Sequence, residues 1–483
     1  MDSKNKKTKV LASLIWKLME RLGAQGVSFI VQIILGRLLM PEDFGAIAIV
    51  TVFITLSNVF VQSGFNTALI QKKDADDKDF SSVFYLSTFI ATMLYVLLFF
   101  TSPYIADYYS SPQLTQVLRV LAIILFFGAF NSIQNAYVAR NMMFKKLFFS
   151  STGSVIFSGI VGVIAAYLGL GVWALVLQQI TYNLSVSVIL WFTVKWRPRL
   201  LFSLSKVKVL FSFGWKLLAS SLLNTLYMDI RTLIIGRIYN SSMLGFYNRG
   251  VQFPKLIVTN MDGAIQSVML PALSDEQDNK KRVKEMVRRA IVTSSFLVFP
   301  MMVGLAVVAE PMIKIVLTDK WLPAAPFLQI FCASYALIPI HTANLQAINA
   351  LGRSDVFLKL EIIKKVIGIL ILAISINFGI YAMAWGMVLS GAISSFINAY
   401  PNKKLLNYSY LEQWKDIIPS LLISLLMGLT VYVLNFLSIA EFLKLFVQIV
   451  VGVVVYILLA KLFKIECFNY LVNTAKDILG RKK

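Results

Sequence analysis

Charge is scarce in this sequence. Asp, Glu, Lys and Arg together make up 14% of it, against about 25% in a soluble domain. Cysteine is nearly absent: Cys332 and Cys467 lie far apart in apolar surroundings, which excludes a disulfide framework and a cysteine-built metal site. The one histidine, His341, follows Pro339 and reads as a packed or hydrogen-bonded side chain rather than a proton relay. Motifs for chemistry are missing as well. There is no GxxxxGKS/T to cradle a nucleotide, no HExxH or CxxC for a metal, and no GxSxG nucleophile turn. No cofactor, no metal and no enzymatic activity are therefore expected.

What the sequence has is apolar length. It is 58% hydrophobic, with a mean hydropathy of +0.74. Runs of the roughly 20 residues that cross a bilayer as a helix fall at 14–39, 44–66, 81–102, 114–138, 148–168, 171–194, 209–238, 243–269, 290–309, 322–350, 358–378, 380–400, 416–436 and 442–463. The expected fold is all-α, a polytopic membrane protein of about 14 transmembrane helices. No loop between these spans is long enough for a catalytic domain.

The formal charge of +22 is placed by topology. Lys72, Lys73, Lys78, Arg140, Lys145, Lys146, Lys195, Arg197, Arg199, Lys206, Lys208, the Lys280–Arg289 cluster, Lys403, Lys404 and Lys415 all fall on one side if the N-terminus is inside. The opposite loops hold little more than Lys314, Lys320 and Lys444. This asymmetry predicts cytoplasmic N- and C-termini, loops 102–113 and 310–321 outside, and 270–289 inside. It also argues against nucleic acid as a partner. The basic start KNKKTK is followed by Lys17, Glu20 and Arg21 and no small-residue cleavage site, so it reads as retained rather than as a signal peptide.

The chain repeats itself. IWKLMERLGAQGVSFIVQIILGRLLMPEDFGAI, from Ile15, resembles GWKLLASSLLNTLYMDIRTLIIGRIYNSSMLGFY, from Gly214. Trp16–Lys17 answers Trp215–Lys216, Gly36–Arg37 answers Gly236–Arg237, and Gly45 answers Gly245. Such repeats mark transporters that bind at the repeat interface. The expected division is an N-lobe at 1–200 (spans one to six), a C-lobe at 201–400 (spans seven to twelve), two unrepeated spans at 401–465, and an amphipathic cytoplasmic tail at 466–483.

Polar residues inside the spans are aligned. NRGVQFPKLIVTNMDGAIQ places Asn248, Gln252, Lys255, Thr259, Asp262 and Gln266 at steps of three and four, one line along a helix. The seventh span carries Lys216, Ser220, Asn224 and Arg231; the first carries Lys17, Arg21, Ser28 and Gln32 beside Glu20; the second carries Thr51, Thr55, Asn58, Gln62 and Asn66. A charged residue on a lipid-facing surface at mid-membrane costs about 2.5–3.5 kcal/mol, so these stripes are expected to face a shared wet cavity. Lys17, Arg21, Lys216, Asn224, Arg231, Arg249, Gln252 and Lys255 are the candidate binding residues. Glu20, Asp229 and Asp262 are candidates for ion or proton coupling. Cations outnumber anions, which suits an anionic substrate. Other readings stay open. Lys17, Lys216, Arg37 and Arg237 lie where snorkelling to an interface satisfies them, Lys255 and Asp262 can neutralise each other, and Asn and Gln also join helices.

LGRLLMPEDFGAIAI, ARNMMFKK, GLGVWALVLQQ and LIIGRIYNSSMLGFYNRGVQFPKL resemble bacterial polysaccharide transporters, the Wzx-type lipid-linked oligosaccharide flippases of the multidrug/oligosaccharidyl-lipid/polysaccharide flippase superfamily. The resemblance covers about residues 10–400. It implies two lobes working by alternating access in the bacterial cytoplasmic (inner) membrane. The implied substrate is an undecaprenyl-pyrophosphate-linked oligosaccharide repeat unit for surface polysaccharide export, with a polysaccharide polymerase and export machinery as partners. It further implies that the two unrepeated spans form a groove for the lipid tail. Three rivals are weighed. A cation-coupled drug exporter of the same superfamily would want acidic residues dominating its cavity. The quoted phrases fit a peptidoglycan-precursor flippase less well. A membrane polysaccharide polymerase would show a long outer loop with paired charges.

Overall fold

Helix starts follow the chain's local punctuation. Asp76 accepts from the Asp79 backbone N–H, and the Asp79 carboxylate accepts from that of Asp76, a reciprocal cap that opens one long helix. Ser409 and Glu412 do the same for another. Gly171 and Gly379 stand at φ 54° and 100°, where a side chain is disfavoured, and turn the chain sharply between antiparallel helices.

The computed structural model describes the backbone of residues 3–62 and 64–480; the side chains of 3–15, 18, 21, 22, 213, 474, 475 and 478–480 lie outside the described set. Every regular element among the described residues is helical, as the composition requires. The chain forms two compact units, Met1–Gly245 and Phe246–Lys483. The first holds α1 (Ser3–Leu38), α2 (Pro41–Gln62), α3 (Phe65–Gln71), α4 (Asp77–Tyr108), α5 (Gln113–Leu121), α6 (Ile124–Arg140), α7 (Phe144–Tyr167), α8 (Val172–Thr193), α9 (Leu204–Ile238) and the first turn of α10 (Ser241–Asp275). The second holds the rest of α10, then α11 (Lys280–Val307), α12 (Ala309–Leu317), α13 (Ala325–Ala336), α14 (Ile338–Ala350), α15 (Ser354–Ser375), α16 (Ile380–Leu406), α17 (Tyr410–Val433), α18 (Glu441–Leu462) and α19 (Glu466–Gly480).

Among the described residues, 11 helices are long and apolar enough to cross a membrane, or 12 if α9, bent by 54° near its start, counts as one span. The sequence led us to expect fourteen. A helix lies at each expected position, but the described residues of two do not meet the length and composition of a span. In α1 most side chains before Gly23 lie outside the described set, and the described apolar stretch is Gly23–Leu38. In α15 the residues Lys359, Glu361, Lys364 and Lys365 interrupt it.

In the first unit, α7 packs between α1 and α8, and α9 lies against α2, α3 and α4. Phe65, Leu69, Phe80, Ile133, Trp196 and Leu210 form one of its cores. Beneath that core a polar clasp joins distant segments. Asp79 is wholly buried and takes Lys72 Nζ at 2.6 Å and Lys206 Nζ at 3.4 Å. The same Lys206 ammonium donates to Asp76 at 2.6 Å and holds that carboxyl well below the usual carboxylate range. Arg140 donates to the carbonyls of Leu69, Lys72 and Lys73. Residues assigned to topology by their charge thus also hold the fold. In the second unit α11 is central, packed on α13, α14 and α17, with α18 against α17.

Candidate functional site

Within the first unit, backbone contact ties the start of α2 to the first turn of α10. A β-carbon on Gly45 would stand 1.7 Å from the carbonyl oxygen of Ser241, and one on Gly245 would stand 2.1 Å from that of Pro41. The two contacts are reciprocal under the 200-residue offset of the repeat: Pro41 answers Ser241 as Gly45 answers Gly245. The starts of α2 and α10 therefore cross backbone to backbone, and only glycine permits it.

On the first unit's stripes, Lys17 is exposed and its ammonium lies 5.1 Å from the centre of the Phe144 ring. Glu20 is half-buried and accepts a long contact, 3.4 Å, from the Ser151 hydroxyl of α7. Arg21 was expected beside them; its side chain lies outside the described residues. On α9, Lys216 and Asn224 are exposed and Asp229 is half-buried. Arg231 is 8% exposed, with its guanidinium 5.9 Å from the Tyr227 ring centre. Its Nε is buried with no hydrogen-bond partner among the described residues. An arginine held on a ring face, rather than by a carboxylate, keeps its charge available to an incoming anion.

In the second unit another arginine lies over a ring. Arg249 is 5% exposed, lies 5.0 Å from the Trp321 ring centre, and donates to Gln252 Oε1 at 2.5 Å. One turn and a half further along α10, Lys255 is exposed and makes no ion pair among the described residues. The internal pair with Asp262, open from sequence alone, does not form. Asp262 instead accepts from the Thr342 hydroxyl of α14 and from Gln266 Nε2 at 2.7 Å. Lys255 is thus the uncommitted cation of this line, and Asp262 is a tie between α10 and α14.

The other face of α10 meets an apolar cavity of about 760 Å³. Its wall comes from α11 (Phe296, Pro300), α17 (Met427), α18 (Ile449, Tyr456) and the tail helix α19 (Leu471), with Ile257 from α10. Ile257 is two residues from Lys255, so the two side chains point roughly 200° apart around the helix. Cationic line and apolar chamber share one helix but occupy opposite faces.

Sequence reasoning missed three participants. Trp321 and Thr342 are remote partners of Arg249 and Asp262, and nothing in their local sequence marks them. The third is a buried amide cluster, in which Asn344 donates to Gln413 at 2.8 Å and Asn402 donates to Asn344 at 2.7 Å, tying α14, α16 and α17. His341 faces Asn398 at 3.3 Å, the hydrogen-bonded role its position suggested.

A family model described as "Polysaccharide biosynthesis protein" matches residues 34–326, more than half of the chain. The chain is 25% identical over 384 residues to the teichuronic acid biosynthesis protein TuaB of Bacillus subtilis, covering 78% of each. It is 24% identical over 440 residues to the lipopolysaccharide biosynthesis protein WzxC of Escherichia coli, covering 87% of this chain and 88% of that one. Among solved structures, the lipid II flippase MurJ in an inward closed conformation superposes with a TM-score of 0.76 at 16% identity, over 93% of this chain and 98% of that chain. An inward-facing multidrug-resistance MATE transporter gives 0.63 at 15% identity, over 81% and 98%. These two likenesses show the fold.

Proposed function

The chain belongs to the polysaccharide biosynthesis protein family, that of the Wzx-type flippases, and on that premise we propose that it carries an undecaprenyl-pyrophosphate-linked oligosaccharide repeat unit across the bacterial cytoplasmic membrane. At the coarser level it is a multi-pass membrane transporter of polysaccharide biosynthesis rather than an enzyme.

The observation that carries the finer reading lies on α10. Its polar line exposes an uncommitted Lys255 below a ring-bound Arg249, while its opposite face walls an apolar chamber of about 760 Å³. A ligand with a multiply charged anionic head and a long hydrocarbon tail matches both surfaces. In this reading the pyrophosphate meets Lys17, Arg21 and Lys216 as it enters and passes Arg231, Arg249 and Lys255, while Asn224 and Gln252 offer hydrogen bonds to sugars. The prenyl tail occupies the chamber along α17 and α18. Glu20, Asp229 and Asp262 are the carboxylates through which an ion or proton couples, and alternating access of the N-lobe at 1–200 and the C-lobe at 201–400 turns the headgroup outward. A polymerase and export machinery receive the unit on the outer side.

Reconstitution tests it. Proteoliposomes carrying a fluorescent undecaprenyl-pyrophosphate oligosaccharide should show headgroup exchange between leaflets well above that of empty vesicles. Absence of exchange together with uptake of cationic dyes would move the chain to the drug-exporter reading.

A further inference from the structure

The second unit has another cavity, of about 500 Å³, that the transport route does not use. It lies between the first turns of α11 and the end of α16. Lys280, Lys281, Lys284 and Arg288 line it from α11 and Lys404 from α16, against one carboxylate, Glu285. Two of the five cations are committed. Lys284 reaches the Asn407 carbonyl at 2.5 Å and Glu412 at 3.5 Å, and Arg288 is held by Asp416 and Glu466 at 3.0 Å each. Lys280, Lys281 and Lys404 are exposed and have no ion pair among the described residues.

The order of charges here works against the helices. The first turn of α11 is Lys280, Lys281 and Arg282, with no acid, although a helix N-terminus carries partial positive charge and favours Asp and Glu. The preceding α10 ends on Asp275, followed by Glu276 and Asp278, at the end that favours cations. A cytoplasmic loop needs basic residues to set orientation, but it does not need them on a helix N-terminus. Exchanging the acids and bases would preserve the net charge and improve both helix ends. Departures from local preference are expected at functional or strained sites. An anion seated in the cavity would be met by three uncommitted ammonium groups.

We propose that this cavity binds a phosphate-bearing anion at the face of the 270–289 loop. Lysine-dominated lining suits a phosphate, which a point charge satisfies from any direction. The chemistry is shared by an anionic phospholipid headgroup and a soluble phosphate, and Leu405 and Leu406 in the lining provide apolar surface beside it. The site does not depend on the identity of the transported glycan.

The test is direct binding to the full-length protein in neutral detergent. The probes are dioctanoyl phosphatidylglycerol, dioctanoyl phosphatidylcholine and inorganic pyrophosphate. Lys280→Gln, Lys281→Gln and Lys404→Gln combined should weaken phosphatidylglycerol at least tenfold, while Lys73→Gln, Lys195→Gln and Lys208→Gln combined should not. Competition by pyrophosphate identifies a soluble phosphate as a sufficient ligand; binding of phosphatidylglycerol without such competition identifies the lipid headgroup. Equal loss in both triple variants, or binding of phosphatidylcholine as tight as phosphatidylglycerol, would overturn the site. Thermal melting accompanies each variant, and Lys404→Gln alone, which leaves the α11 start unchanged, repeats the comparison if the triple does not fold. Failure here leaves the headgroup-exchange assay untouched, so the two readings fall separately.

Discussion

Helices α2 and α10 start as copies of each other and end as different objects. Both cross at the reciprocal glycines, Gly45 on Ser241 and Gly245 on Pro41. Beyond that crossing, α2 has no charged residue after its first turn. Its partner, 35 residues long in all, carries Arg249, Lys255 and Asp262. The positions correspond: Ile49 answers Arg249, Thr55 answers Lys255, and Gln62 answers Asp262. Backbone contact is under the same constraint in both copies, because no side chain fits between crossing backbones. Side-chain charge is under none, so one copy keeps an uncharged polar stripe and the other carries a cationic line.

Exchanging the divergent residues should break the comparison most severely. Ile49 is 1% exposed and its side chain lies over Gly236. Ile49→Arg would bury a guanidinium without the ring that serves Arg249, a cost of about 3–5 kcal/mol for an uncompensated buried charge. Loss of folded protein in size-exclusion profiles is expected; a monodisperse, stable variant would show that α2 is as tolerant of charge as α10.

The shared contact comes next. Gly45→Ala and Gly245→Ala should each destabilise by about 1–3 kcal/mol or more, as overpacking does, since the opposing atoms are backbone. Gly26→Ala, which meets nothing within 4 Å, is the silent control. Thermal melts of the three variants decide it, and equal melting temperatures would remove the crossing from the account.

Smaller still is the tie at Asp262. Asp262→Ala strands the Thr342 hydroxyl and should cost about 1–3 kcal/mol. Because Lys255 is not its partner, adding Lys255→Ala should change nothing further; a double variant more stable than Asp262→Ala alone would restore the internal ion pair.

The least effect on stability belongs to Lys255. Lys255→Ala, at an exposed side chain, should stay within about 0.5 kcal/mol of the parent, yet reduce surface glycan. Lys255→Glu should reduce it more, because an anion then faces the pyrophosphate of the proposed substrate. Normal glycan in Lys255→Glu would take this residue off the substrate path.

Much of the fold is legible in the residues alone. A chain this apolar and this poor in charge must satisfy its backbone inside helices, so an all-α membrane fold follows from composition. The spacing of Asn248 to Gln266 draws the polar line, and the repeat makes Gly45 and Gly245 equivalent. Periodicity works for these because it is a property of neighbours along one helix. It does not count spans securely where charges interrupt an apolar run, as in α15, nor where a span bends, as in α9.

What only the tertiary structure decided is which polar groups meet. Sequence left Lys255 and Asp262 as candidates for each other, seven residues apart on one face. Folding brought Thr342 of α14 within reach of Asp262 instead, and left the lysine uncommitted. Trp321 came under Arg249 from more than 70 positions away. Lys72 and Lys206, which looked like topology charges, converged on the buried Asp79. Composition and period determine that a helix forms and which of its faces is polar, because those depend on local geometry. The choice of partner depends on which helices lie side by side, and that is settled only when the whole bundle packs.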